Sequence, residues 1–181
     1  QETTKPKYYI NVAVANLWHN YQAYRTLDTP SITNPVDYDK WIRSMNVSQK
    51  QWLVGRTDTQ SLYYDEVTLI KSKGSMHYVA AKDQYVPYNK DGYPGWLGKQ
   101  QITKSYLDTS DCEIAVITAD KTTLLNEKNK QPFLQISYAT ILPVVKKENG
   151  YYHVQTPANG IKLLKASSAK VYKNYKAIPK P

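Results

Sequence analysis

The chain contains one cysteine, and its chemistry is the first to be judged. Cys112 follows Asp111, a pair that could be a nucleophile with its acidic neighbour, and His153 lies downstream. A cysteine nucleophile needs a lowered pKa, usually from a helix N-terminus and a histidine held by a third group. Residues 113–117 instead have the composition of a strand. We therefore expect Cys112 to be an inert, partly buried thiol and predict no catalytic residue in this chain.

The three histidines give no sign of a metal site. His19, His77 and His153 lack ligand spacing to one another and to the cysteine. A single cysteine also excludes an internal disulfide and a cysteine-rich metal site. No glycine-rich phosphate loop, nucleophile elbow or His-Glu-x-x-His motif is present. The sequence predicts neither a metal nor a cofactor.

Asp58 is a more interesting acid, because it stands just before a predicted strand. It could form an Asx-type turn or a surface ion pair with Arg56. If the turn that carries Tyr93 lies beside it, a carboxylate and a phenol share one rim instead. That pair would suit a ligand ammonium group, with a charge-assisted hydrogen bond worth about 1.5–3 kcal/mol if water is excluded. Both interpretations remain open from the residues alone.

Residues 90–99 form the stretch with the strongest local signals. Asp91-Gly92 predicts a tight turn, because glycine accepts the positive φ that such turns require. Pro94 and the glycine after it disfavour a helix and would leave Tyr93 and Trp96 as two large rings on a short, stiff turn. Such a turn could recognise a ligand or fill a barrel corner with aromatic rings.

Composition favours an all-β fold. The chain has 17 Tyr and 4 Trp against one Phe, which suits strands whose rings are buried while their polar tips stay wet. Alternation and β-branched runs predict strands between polar turns. The predicted strands are 8–18, 60–64, 67–71, 77–81, 113–118, 131–138, 141–146 and 151–156.

An internal repeat organises these strands into two units. A shift of 75 residues aligns 59–80 with 134–155, and both copies then reach a glycine-centred turn. Five or six short strands per copy fit a small barrel. In this alignment, residues 158–161 replace Tyr93–Trp96, so the barrel does not require those aromatics and Tyr93 is interpreted as a ligand contact. The identical pairs are Gln60 and Gln135, Tyr63 and Tyr138, Lys71 and Lys146, and Val79 and Val154.

A helical insertion is predicted in the first copy, at about residues 35–52. Asn34 is expected as the N-cap and Pro35 at the first helical position. A further short turn is expected from Ser48 and Gln51, which have capping-box spacing. The predicted boundaries are 1–104 for the first barrel, 105–175 for the second and 176–181 for a linker.

Net charge excludes some partners and leaves others open. The chain carries +9, spread evenly, because 1–104 hold 13 Lys/Arg against 9 Asp/Glu and 105–181 hold 11 against 6. Without a basic run or a recognition motif, we expect no nucleic-acid partner. No apolar window is long enough for a membrane span. A basic surface would suit an anionic envelope polymer.

Four segments together resemble a known family. Val12–Trp18, Asn34–Asp37, Trp52–Gln60 and Gly92–Trp96 occur in this order and resemble the N-terminal half of the secreted NlpC-type cell-wall cysteine peptidases, the γ-D-glutamyl-L-diamino-acid endopeptidases of Gram-positive bacteria. The similarity is close over 10–102 and looser over the second repeat. It implies two tandem bacterial SH3 (SH3b) barrels, the first with a helical insertion. A papain-like catalytic domain would follow the linker and is absent from this chain.

The resemblance also implies a function. In the family, an acid and a tyrosine of the first barrel hold the free N-terminal L-Ala amine of a peptidoglycan stem peptide, and by motif they fall on Asp58 and Tyr93. Trp96 is expected to be a wall of the same site. The chain would be the non-catalytic recognition and targeting part of a secreted or wall-associated peptidase that cleaves γ-D-Glu to diamino-acid bonds. The alternative is a stand-alone wall-binding or adhesion module for anionic envelope polymers.

Overall fold

The computed structural model describes residues 2–180 of the chain. Fourteen strands in this range form two antiparallel sheets of seven strands each. The chain divides into two compact units, the first comprising Lys7–Thr103 and the second beginning at Lys104 and including the residues before Lys7. None of the described helices is long and apolar enough to cross a membrane. The all-β prediction is confirmed.

The first sheet has the order β3-β2-β6-β5-β4-β1-β7. The single strand predicted over 8–18 is wrong in one respect, because the chain breaks at 11–13. Tyr8 and Tyr9 pair with β4, whereas the residues after the break pair with β3, so the chain changes its partner there. The strands are β1 Glu2–Ile10, β2 Val14–Trp18, β3 Thr57–Leu62, β4 Glu66–Lys73, β5 Met76–Ala81, β6 Tyr93–Gly98 and β7 Ile102–Leu107.

The second sheet repeats this order as β10-β9-β13-β12-β11-β8-β14. Each of its strands has a counterpart at the same place in the first sheet, which is the duplication that the 75-residue shift predicted. Its strands are β8 Glu113–Ile117, β9 Lys121–Asn126, β10 Pro132–Ser137, β11 Ile141–Glu148, β12 Tyr151–Gln155, β13 Ile161–Lys165 and β14 Ala169–Tyr172.

Irregularities of the backbone are duplicated as well. A bulge leaves Asp58 without a cross-strand partner in the β2–β3 pair, and the β9–β10 pair leaves Phe133 in the same position. The β4–β5 and β11–β12 pairs carry a second pair of bulges. Tyr64 and Ala139 adopt positive φ at equivalent turns, with angles of 70° and 71°. Bulges bend a strand and re-aim its side chains. Because both units carry them at the same places, these bulges belong to the fold rather than to one copy.

The helical insertion lies between β2 and β3. It contains a 3₁₀ turn at Thr26–Ser31 and two short helices, α1 at Tyr38–Arg43 and α2 at Val47–Gln51. Asp28 is fully buried beneath it, where its carboxylate accepts hydrogen bonds from the Arg25 guanidinium and from Trp41 Nε1, the latter at 2.9 Å. These charge-assisted hydrogen bonds join the 3₁₀ turn, which contains Asp28, to α1, which contains Trp41.

Both predicted helix starts are wrong by two or three residues. The N-cap of α1 is Asp37, whose carboxylate accepts from the Lys40 amide at 3.0 Å, and the cis Asn34–Pro35 peptide bond lies before the helix. In α2 the capping box is formed by Asn46 and Gln49 instead of Ser48 and its partner. Several polar residues here have the spacing of a cap, and the backbone that enters each helix selects one of them.

Two apolar clusters pack on opposite faces of the first sheet. Leu17 lies in the barrel core and the next residue, Trp18, lies beneath the helical insertion, because successive side chains of a strand point to opposite faces. The barrel cluster comprises Ile10, Val12, Ala15, Leu17, Val67, Val79, Ala81 and Leu97. The insertion cluster comprises Trp18, Trp41, Met45, Met76 and Trp96.

Candidate functional site

Asp58 occupies the β2–β3 bulge. Thr57 and Thr59 pair with the consecutive residues Trp18 and Leu17, so the residue between them has no partner in the ladder. A bulged residue is free of the strict alternation of the strand, and its side chain can be aimed out of the sheet. The Asp58 side chain is one-fifth exposed. The carboxylate is therefore accessible to solvent but set in a defined position.

The partner of Asp58 in the structure is His19, which the sequence analysis did not connect with it. His19 Nδ1 lies 3.1 Å from Asp58 Oδ2, and the imidazole is 71% exposed. The backbone N–H of His19 donates to the Arg56 carbonyl at 2.8 Å, which holds the chain in place at this point. The Arg56 guanidinium lies over the Trp52 ring and donates to the Trp52 carbonyl. Of the interactions considered for Asp58, the ion pair with Arg56 is not formed, and the carboxylate lies within hydrogen-bonding distance of His19 instead.

Tyr93 begins β6, directly opposite Ala81. The turn before it depends on Gly92, which has φ of +111° and whose Cβ, if present, would lie 2.0 Å from the Ala81 carbonyl oxygen. Tyr93 packs against the barrel cluster. Burial, the charge of Asp58 and an interaction with Tyr88 raise the pKa of its phenol. The charge of Asp58 is thus one of the influences on the Tyr93 phenol.

Two further tyrosines share this neighbourhood. Burial, Tyr88 and Asp58 raise the pKa of Tyr78. Tyr88 is 69% exposed and lies on the long connection between β5 and β6. The charge of Asp58 thus acts on the phenols of Tyr78 and Tyr93, and Tyr88 acts on both.

Gln84 fastens the β5–β6 connection to the strand that carries Asp58. Its Oε1 accepts from Thr59 Oγ1 at 2.7 Å, and its Nε2 donates to the Gln60 carbonyl at 2.8 Å. Sequence reasoning missed His19, Gln84 and Tyr88, because they come from three separate segments and none lies in a recognisable motif. No signal in the local sequence could have joined them.

Trp96 lies on the other face of β6. Tyr93 and Trp96 are three positions apart in one strand, so they point in opposite directions, and the short aromatic turn predicted for them is wrong. Trp96 is only 8% exposed and belongs to the insertion cluster. Its ring lies 5.4 Å from that of Tyr21 and 5.0 Å from that of Tyr78. The structure places it as a packing residue and does not bring it together with Tyr93.

Cys112 has the opposite electrostatics to a nucleophile. Burial and the charge of Asp111 raise the pKa of its thiol, which lowers the thiolate fraction at neutral pH. The residue lies in a turn before β8, where its N–H donates to the Thr109 carbonyl. Among residues 2–180, no group of three His, Cys, Asp or Glu side chains is placed to hold a metal ion.

The second unit carries different chemistry at the equivalent position. Phe133 occupies the bulge, and Lys162 Nζ lies 4.5 Å from the centre of its ring while donating to Asn126 Oδ1 at 2.9 Å.

Strand pairing also shows which residues of β6 and β13 are equivalent in the two units. Val154 pairs with Lys162 in the second unit as Val79 pairs with Gly95 in the first. Trp96 therefore corresponds to Leu163, and Tyr93 corresponds to Gly160. The sequence alignment, which places 158–161 opposite Tyr93–Trp96, is wrong by two residues in this strand.

Comparison with known proteins agrees with this architecture. A family described as the YKFC SH3b2 domain matches residues 117–172. The γ-D-glutamyl-L-lysine dipeptidyl-peptidase of Bacillus cereus (strain ATCC 10987 / NRS 248) is 33% identical over 186 residues, covering 100% of this chain and 56% of that protein. The enzyme of the same name from Bacillus subtilis (strain 168) is 29% identical over 150 residues, covering 80% of this chain and 49% of that protein.

A solved structure shows the same relationship in three dimensions. The crystal structure of an NlpC/P60 family protein from Bacillus cereus ATCC 10987 superposes with a TM-score of 0.88 at 32% identity, over 97% of this chain and 59% of that one. The resemblance to the SH3b region of NlpC-type peptidases is confirmed. The two duplicated units have the fold of tandem SH3b-like barrels, the first with the helical insertion, and are called the first and second SH3b units below. The chain spans about half the length of the curated relatives that it matches.

The carboxylate of Asp58 and the phenol of Tyr93 have no counterpart at the equivalent positions of the second SH3b unit. The second SH3b unit has an aromatic ring where the first has a carboxylate, and a glycine where the first has a phenol. A ligand that needs a negative charge beside a hydroxyl would distinguish the two units. The assignment of Asp58, Tyr93 and Trp96 to a ligand site stays a prediction, with the burial of Trp96 favouring a structural role for that residue.

Proposed function

We propose that this chain is the non-catalytic substrate-recognition and wall-targeting part of a peptidoglycan stem-peptide endopeptidase that cleaves γ-D-Glu to diamino-acid bonds. Its similarity to two γ-D-glutamyl-L-lysine dipeptidyl-peptidases and to an NlpC/P60 protein supports this proposal. On this proposal the chemistry belongs to a catalytic domain of the whole protein, and the whole protein works outside the cell, at the wall that contains its substrate.

The observation that carries the proposal is the Asp58 carboxylate, which lies in the β2–β3 bulge with one-fifth of its side chain exposed and whose charge acts on the Tyr93 phenol. A carboxylate accepts hydrogen bonds only, and a phenol oxygen can accept one more. An N-terminal ammonium group has three N–H donors and a positive charge, so it is matched by this pair in both charge and hydrogen-bonding capacity. A phenol is neutral at neutral pH, so the Tyr93 hydroxyl is able to accept this hydrogen bond.

The proposed ligand is a stem peptide with a free N-terminal L-Ala. The Asp58 carboxylate would hold the ammonium group, with the Tyr93 hydroxyl as the second contact. Because half of a site buries little of its ligand, we expect the chain alone to bind the dipeptide L-Ala-γ-D-Glu with millimolar affinity, about 4 kcal/mol.

A titration followed by NMR tests this function. Adding L-Ala-γ-D-Glu to the labelled chain should shift the signals of Asp58, Tyr93 and their neighbours, whereas the N-acetylated dipeptide, which lacks the ammonium group, should leave them unchanged. Asp58→Asn should reduce the shifts by more than half. Asp111→Asn removes the same charge from the second SH3b unit and should leave the titration as it is.

Two results would contradict the assignment. Equal binding of the free and acetylated dipeptides would show that the ammonium group is not recognised. Shifts confined to lysines of both units, together with wall binding that falls steeply with salt and ignores Tyr93, would instead favour a wall-binding module for anionic polymers.

A further inference from the structure

We propose that His19 competes with the ligand ammonium group for Asp58, so that recognition of a free amine weakens as His19 becomes protonated. The inference rests on the proposed function, because it concerns the regulation of the same site. It predicts a first SH3b unit that holds its ligand better at neutral pH than in mildly acidic surroundings.

The geometry places the imidazole on the carboxylate oxygen that a ligand would use. His19 Nδ1 is 3.1 Å from Asp58 Oδ2, within hydrogen-bonding distance, and a carboxylate can only accept. The Asp58 side chain is largely covered, with one-fifth of its surface open. An ammonium group that approaches this oxygen must share it with the imidazole or displace it.

Displacement is possible because the side chain of His19 contacts Asp58 itself, while the other contact described for this residue comes from its backbone. The amide of His19 donates to the Arg56 carbonyl, while 71% of the side chain faces solvent. A rotation of the exposed ring would free the carboxylate without disturbing β2. The cost of that rotation depends on charge, since a protonated imidazole is attracted to the carboxylate and a neutral one forms only an uncharged hydrogen bond.

The other groups around this pair keep their charge in the range where histidine side chains in general gain or lose a proton. Tyr78, Tyr88 and Tyr93 interact with one another or with Asp58, and phenols ionise near pH 10 or above. Arg56 supplies its carbonyl to His19, while its guanidinium lies over Trp52 and stays charged.

The ligand does not change its own charge in the same interval. An α-amino group titrates near pH 8 and carboxyl groups near pH 4, whereas an ordinary histidine titrates near pH 6.5. Between pH 5.5 and 7.0 the dipeptide therefore keeps its ammonium group and its carboxylates. A change of affinity in this window reports on the protein.

The test is a series of NMR titrations of the full chain with L-Ala-γ-D-Glu from pH 5.5 to 7.0. We expect the affinity of the wild-type chain to rise about two- to fivefold across this range, which is the effect of an exposed ion pair. His19→Gln should bind more tightly than wild type at pH 5.5 and lose the pH dependence. His153→Gln removes a histidine from the second SH3b unit and should keep the wild-type profile.

The outcomes separate this inference from the proposed function. Binding by wild type with no pH dependence, or the same pH dependence in His19→Gln, would overturn the competition while leaving amine recognition intact. Weaker binding by His19→Gln at every pH would also overturn it, because His19 would then be a supporting contact. No dipeptide binding at any pH, in wild type and variant alike, would overturn both proposals.

A measurement without ligand checks the pairing itself. Asp58→Asn should change the imidazole nitrogen shifts of His19 at pH 5.5 by more than Asp111→Asn does. Equal shifts in the two variants would show that His19 and Asp58 do not pair in solution, and the competition would be excluded whatever the affinity data show.

Discussion

Asp58 and Phe133 are the unpaired residues of equivalent bulges, one in each SH3b unit. The same backbone irregularity therefore accommodates a carboxylate in one copy and an aromatic ring in the other. Since the bulge does not need an acid for its geometry, the acid in the first unit must be explained by what it contacts, which is His19 and, in our proposal, a ligand ammonium group.

The first prediction concerns a variant in which the bulge of the first unit carries the aromatic side chain found in the second. Asp58→Phe should abolish detectable binding of L-Ala-γ-D-Glu, because the negative charge is lost. The free energy of unfolding of the first unit should change by less than about 1 kcal/mol, because the equivalent bulge of the second unit accommodates Phe133. Tryptophan fluorescence during urea unfolding reports on this unit selectively, since all four Trp residues lie within it. Retained binding would contradict the assignment of Asp58.

The second prediction concerns the phenol. Tyr93→Phe removes a single hydroxyl and should weaken dipeptide binding about three- to tenfold, which corresponds to one neutral hydrogen bond of about 1 kcal/mol. The ring stays in place against the barrel cluster, so the urea midpoint should remain close to that of wild type. Tyr138→Phe, at an exposed tyrosine of the second unit, is the matched control. Unchanged affinity in Tyr93→Phe would remove Tyr93 from the site.

The third prediction treats Trp96 as a packing residue. Trp96→Ala should lower the free energy of unfolding of the first unit by about 3–5 kcal/mol, because it leaves a large cavity between Tyr21 and Tyr78. The other three Trp residues still report the transition. Tyr85→Ala, at a side chain that is 86% exposed, should change stability by less than about 0.5 kcal/mol. A stable Trp96→Ala chain that has lost only dipeptide binding would show that Trp96 is a ligand contact after all.

The fourth prediction is a pH dependence of stability at Asp65. Burial is the main cause that raises its pKa from 3.8 to about 6, with Asp83 adding to it and the hydrogen bond from the Leu62 amide opposing it. The folded state then holds the proton more tightly than the unfolded state does. Stability therefore falls as pH rises from about 4 to about 6, by at most about 3 kcal/mol.

Replacing Asp65 should remove this loss of stability at higher pH. Asp65→Asn keeps an oxygen that can accept from the Leu62 amide, so we expect a higher urea midpoint than wild type at pH 7.5 and a flatter profile between pH 4 and 7. Asp111→Asn serves as the control and should leave the profile of the tryptophan signal unchanged. An equally steep profile in Asp65→Asn would place the titrating group elsewhere.

The fifth prediction separates two reasons for glycine. Gly55 and Gly92 both have positive φ, but a Cβ at Gly55 would meet nothing within 4 Å, whereas one at Gly92 would lie 2.0 Å from a carbonyl oxygen. Gly55→Ala should lower the free energy of unfolding by about 1 kcal/mol, because the backbone strain of a positive φ is the one penalty there. Gly92→Ala should cost clearly more in urea unfolding, and it should also shift Tyr93 in the NMR spectrum. Equal costs for the two variants would show that the close approach at Gly92 relaxes freely.

Much of the fold could be predicted from the sequence, because its signals are local or repetitive. Alternation and aromatic composition indicated strands, and the 75-residue shift indicated the duplication. The helix caps at Asp37 and Asn46 were missed because several polar residues there could cap equally well. The break after Ile10 was missed because it depends on which strand each half pairs with.

Some features of the candidate site could likewise be predicted from the sequence, and others could not. By itself, the sequence indicated that Asp58 and Tyr93 stand in motifs that resemble those of a peptidase family and that the second copy lacks the motif around Tyr93. Only the tertiary structure decided that Asp58 lies in a bulge, that His19 pairs with it and that Tyr93 and Trp96 face opposite ways. Tyr93 and Trp96 face opposite ways because both lie in β6, where successive side chains alternate. Cross-strand register sets the bulge at Asp58 and the pairing with His19, and register depends on residues that are distant along the chain. No local pattern in the sequence carries that information.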